Sequence, residues 1–127
     1  MMTRWVLVAV LLAHGWVHLV VWGMVPAIPT QATNLSHSWL LGDRRPLARG
    51  LTALTMALFA VAAVGLAVQA AWWGPAAVAA AGVSVVLVAL FPAAIANPWI
   101  VAPVAIDVAV IAAVVWSDWP AQMVVGG

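Results

Sequence analysis

Two histidines four residues apart, His14 and His18, stand in a run that is otherwise almost entirely apolar, with Gly15, Trp16 and Val17 between them. On a helix this spacing puts both imidazoles on one face, one turn apart. Far along the chain, Asp107 is the one acid inside any long apolar run, and Ser84 lies in another. A carboxylate or imidazole surrounded by hydrocarbon is expensive unless it is neutral or partnered. These residues are therefore expected to meet.

Three chemistries suit the set. The first is a structural polar network, with neutral imidazoles bonded to Asp107, Ser84 or a carbonyl. The second is a catalytic proton relay in which His14, His18 and Asp107 serve a bound molecule such as a quinone or a lipid. The third is ligation of a metal ion or haem. An i, i+4 histidine pair can hold one metal from one helix face, and Asp107 completes a two-histidine, one-carboxylate set. Trp16 and Ser84 join His14 and His18 as candidates for lining a cofactor site.

The elements that must position them follow from composition. The chain has 127 residues, 68% hydrophobic and 6% charged, with a mean hydropathy of +1.19. Soluble domains carry roughly 25% charged residues, so lipid must supply most of the surroundings of this chain. A net charge of +1 with four arginines and no lysine leaves no basic patch for nucleic acid. The absence of cysteine excludes disulfides, thiolate chemistry and iron–sulfur clusters.

Four apolar runs predict an all-α membrane protein, a single domain over 1–127 with four transmembrane helices in an up-and-down bundle. The spans fall at about 5–25, 47–69, 76–95 and 99–117, with the first and fourth adjacent. A signal peptide is the rival reading of the first run, with Arg4 before it and Val25-Pro26-Ala27 as the cleavage site. The run is long for that role and carries two histidines. Residues 26–46 form the sizeable polar stretch, in which 35–41 reads as two turns of interfacial helix with Trp39 at headgroup level. Asp43, Arg44 and Arg45 read as a solvated interfacial cluster, and His37 as a loop histidine.

In the second run, Ala53, Ala57 and Ala60, with Gly50 and Gly65, predict close helix approach. Thr52 and Thr55 can bond back to their own helix. Residues 70–75 predict a tight turn with Trp72 and Trp73 as interfacial anchors. Pro92 interrupts the third run, Asn97-Pro98 marks a turn, and Pro103 is expected to kink the fourth. Tryptophans near the run ends form an aromatic belt. The arginine count favours the 26–46 loop on the cytoplasmic side.

Counting about 1.5 Å per residue places His14 about 14 Å and His18 about 20 Å into the first span, and Asp107 about 18 Å from the same surface. His18 and Asp107 are thus expected to face each other, with Ser84 near the depth of His14 and Gly15 leaving room for a neighbouring helix.

The stretch Ala13-His14-Gly15-Trp16-Val17-His18-Leu19 resembles the HG-xx-(H/K) segment in the first helix of DoxX-like four-helix membrane proteins. Trp39-Leu40-Leu41-Gly42-Asp43-Arg44-Arg45 and Asn97-Pro98-Trp99 resemble small actinobacterial membrane proteins of similar length. The first resemblance implies a role near quinone chemistry or membrane redox complexes. The expectation is a multi-pass protein of the bacterial inner (plasma) membrane. It would be an accessory or assembly subunit of a larger, redox-associated complex, or a homo-oligomer. A small membrane enzyme using His14, His18 and Asp107 is the alternative, with haem, quinone or a metal ion as its cofactor.

Overall fold

A computed structural model describes residues 2–21, 37–92 and 101–117. These form four helices, α1 (Met2–Val21), α2 (Arg45–Ala67), α3 (Trp73–Leu90) and α4 (Val101–Trp116), and a two-stranded hairpin, β1 (His37–Ser38) with β2 (Gly42–Asp43). Three of the helices, α1, α2 and α3, are long and apolar enough to cross a membrane. At 16 residues α4 is shorter, about 24 Å against the roughly 30 Å of a hydrocarbon core. Residues 22–36, 93–100 and 118–127 lie outside the described residues. So do the ends of the first, third and fourth runs, Asn34, and the Asn97-Pro98 turn.

Local chemistry sets the helix ends. α2 begins just before Pro46, where the missing N–H breaks no helical bond. It ends in a Schellman motif. The Ala70 amide donates to the Gly65 carbonyl at 2.8 Å and the Gln69 amide to Leu66 at 3.2 Å. Gln69 takes the left-handed conformation, φ 56°, that glycine usually supplies there. α3 stops at Leu90 because Phe91 precedes Pro92, and a residue before proline is driven out of the helical region. Pro103 stands in the first turn of α4, so the expected kink has no described helix on its N-terminal side to bend.

The packing runs in chain order, α1 on α2, α2 on α3 and α3 on α4. Gly15 lies against Met56 and Phe59, while Leu7 and Leu11 share a cavity with Leu66 and Trp73, so α1 and α2 are antiparallel. Ala48 packs with Leu87 and Phe91 at one end of the bundle, and Leu66 with Trp73 at the other, so α2 and α3 are antiparallel too. α1 and α4 meet through side chains across that apolar cavity of about 50 Å³, where Val110 and Val114 complete the lining.

Small residues allow the close contacts. Ala62 and Ala63 of α2 and Ala77, Ala80 and Ala81 of α3 are fully buried. In lipid, where apolar surface gains little from leaving the solvent, such close backbone approach is a main source of helix association. The expected small-residue face is corrected here. Ala53 and Ala57 point outward, and nothing would contact a Cβ added at Gly50. Thr52 and Thr55 occupy the buried face instead, bonded to the Ala48 and Leu51 carbonyls at 2.8 Å each.

Two further expectations are revised. Trp73 is a core residue, because α3 starts at Trp73 and takes Pro75 into its first turn, where the ring is tolerated. The segment 37–43 is a hairpin and not an interfacial helix. The Ser38 hydroxyl accepts the Leu40 and Leu41 amides, Gly42 adopts φ 69°, and His37 bonds Asp43 across the strands at 2.8 Å. Trp39 donates its indole N–H to the Ala89 carbonyl at 2.7 Å, satisfying one of the unpaired acceptors at the end of α3.

Candidate functional site

Between the apolar cluster around Phe59, Leu66 and Trp73 and the one at Ala48, Leu87 and Phe91 lies a polar layer: His14 and His18 of α1, Ser84 of α3 and Asp107 of α4. The histidines reach it because the buried stripe of α1 runs Leu11, His14, Gly15, His18, Leu19, the i, i+3, i+4 pattern of one helix face. Ser84 lies between Ala81 and Leu87 on the buried face of α3. Asp107 is the single buried residue of α4. Their exposures are 4% and 1% for the histidines and 0% for Ser84 and Asp107, so all four are buried.

Each group is bonded to the others. His14 Nε2 lies 2.8 Å from Asp107 Oδ1. The Ser84 hydroxyl bridges Asp107 Oδ2 and His18 Nε2, the latter at 2.6 Å. His18 Nδ1 lies 3.0 Å from the His14 carbonyl. A carbonyl only accepts, so His18 Nδ1 carries a hydrogen and a neutral His18 turns the Nε2 lone pair inward.

The four contacts require four hydrogens. Three come from His14 Nε2, His18 Nδ1 and the Ser84 hydroxyl. The fourth is an acid proton held between Asp107 and His18. It sits on Asp107 Oδ2 while the Ser84 hydroxyl donates to His18, or on His18 Nε2 while the hydroxyl donates to Asp107. In both arrangements every contact carries one hydrogen and the cluster is neutral overall. That composition suits a low-dielectric interior.

Phe59 of α2 walls the layer. Its ring meets the His14 ring edge-on at 4.8 Å and lies near-parallel to His18 at 6.3 Å, while the two imidazoles are T-shaped at 5.0 Å. Gly15 admits α2 this closely, since a Cβ there would lie 3.0 Å from Phe59 Cβ. Phe59 is the single aromatic residue of α2, but only the packing shows that it lies against the histidines.

His14, His18, Asp107 and Ser84 are thus brought together, but the partners are crossed. Asp107 meets His14 directly and reaches His18 through Ser84. Asp107 lies nine residues before Trp116, where α4 ends, closer to that end than the roughly twelve residues assumed from the apolar run. Trp16 lies on the opposite face, half exposed, and lines no part of the site. The cavity beside the layer, about 50 Å³, is far below the roughly 300 Å³ of the smallest ordinary ligand pockets. It does not accommodate a porphyrin or a quinone head. No protein-family model, curated protein or solved structure matches the chain.

Proposed function

We propose that the chain is an integral protein of a bacterial plasma membrane, crossing it four times, and serves as an accessory or assembly subunit of a larger membrane complex. One observation carries the reading. Every polar side chain of the central layer is bonded to another and buried, so the layer holds α1, α3 and α4 together. The exterior supports it. Val101, Ile106, Val108, Val115 and Trp116 leave the outer side of α4 apolar and exposed, as lipid or a partner subunit requires. The resemblance to DoxX-like proteins favours a redox complex as the host.

Affinity purification of the tagged chain in mild detergent is the test of the subunit reading. A larger membrane protein should elute with it in constant ratio. A fully active preparation containing the 13.2 kDa chain alone would refute that reading. The span count is read separately. Single cysteines placed in the cysteine-free chain at Leu40 and Ala71 should label from opposite sides of the membrane, and labelling from one side would refute four spans.

A further inference from the structure

We propose that His14, His18 and Asp107 form a binding site for one divalent first-row transition-metal ion of the zinc(II) or iron(II) class. Each of the three buried residues offers one ligand atom, and these atoms all lie within 4.8 Å of one another. A tetrahedral ion with bonds of about 2.0–2.2 Å separates its ligands by about 3.3–3.6 Å, and a water carried in with the ion takes the fourth position. The 2.8 Å contact between His14 and Asp107 opens by about half an ångström and the widest pair closes by about 1.2 Å, changes within reach of side-chain torsions.

The surroundings are those that metal ligands require. His18 is oriented by its Nδ1–H on the His14 carbonyl, which points the Nε2 lone pair inward. Ser84 holds Asp107 Oδ2, leaving Oδ1 for the ion. When His18 Nε2 binds the ion, the Ser84 hydroxyl still donates to Asp107, so binding leaves it satisfied. Two imidazoles and one carboxylate match zinc or iron(II) and lack the oxygen ligands that calcium and magnesium demand.

The inference is independent of the subunit reading, because its measurements use the isolated chain.

The test is titration of the chelator-stripped, full-length chain in detergent with Co²⁺, followed by visible absorption. The expected result is one Co²⁺ per chain, with the intense visible bands of a tetrahedral N/O site. Asp107→Asn keeps an isosteric hydrogen-bonding group but removes the anionic ligand. It should retain helical circular dichroism and lose more than about 100-fold in affinity, beyond the 10–100-fold that loss of an outer partner costs. His37→Ala, which removes the exposed histidine of the hairpin, should leave stoichiometry and spectrum unchanged. Absence of saturable Co²⁺ binding by the wild-type chain, or equal affinity in Asp107→Asn, would each overturn the proposal. The wild-type stoichiometry needs no variant to fold.

Discussion

Replacing Asp107 by Asn and by Leu should separate two variants of similar size by the hydrogens they supply. In Asp107→Asn the amide oxygen accepts from His14 Nε2–H, as Oδ1 does now. The amide N–H donates to Ser84, whose hydroxyl then donates to His18 Nε2. All four contacts keep a hydrogen, and the residual cost is the second amide hydrogen, a buried donor without an acceptor, about 1–3 kcal/mol. In Asp107→Leu, Ser84 still satisfies His18, but the His14 Nε2–H loses its acceptor in a buried site.

A buried donor left in that state costs about 1–3 kcal/mol. Asp107→Leu loses in addition the bonds to His14 and Ser84, about 0.6 kcal/mol each between membrane helices, so it should cost about 1 kcal/mol more than Asp107→Asn. The expected loss for Asp107→Leu is about 2–4 kcal/mol, a factor of about 30–900 in the folding equilibrium. α4 should loosen first, since Asp107 is its one buried residue. Unfolding in mixed micelles of mild detergent and dodecyl sulfate, followed by circular dichroism, gives the difference. If Asn destabilises as much as Leu, or Leu costs nothing, the hydrogen count is wrong.

Two further substitutions probe the frame around the site by the same unfolding measurement. Gly15→Ala places a methyl 3.0 Å from Phe59 Cβ and 3.5 Å from the Met56 backbone. It should push α1 off α2 at a cost of about 1–3 kcal/mol, and an unchanged midpoint would show that the helices give way freely. Gln69→Gly relieves a left-handed residue at φ 56° and should stabilise by about 1 kcal/mol; a loss of stability would mean that the Gln69 side chain contributes more than its backbone strain costs.

The apolar runs, the face shared by His14 and His18, and the involvement of Asp107 were legible in the sequence. They follow from local quantities: hydropathy summed over a run, the 3.6-residue period, and the cost of a lone carboxylate in hydrocarbon. Pro46 at the start of α2 and Pro92 after α3 act on their nearest backbone neighbours, so they too could be read in place. The tertiary structure alone decided what depends on position between helices. It paired Asp107 with His14 and not directly with His18, because counting residues fixes depth only to about a turn and leaves the rotation of each helix open. It turned Ala53 and Ala57 outward and drew Thr52, Thr55 and Phe59 inward, since a helix apolar all round carries no stripe to mark its buried face. It took Trp73 into the core and made residues 37–43 a hairpin held by Ser38, Gly42 and the His37–Asp43 bond. Composition is a property of one segment, whereas register, rotation and partner choice belong to two segments at once, and only their packing sets them.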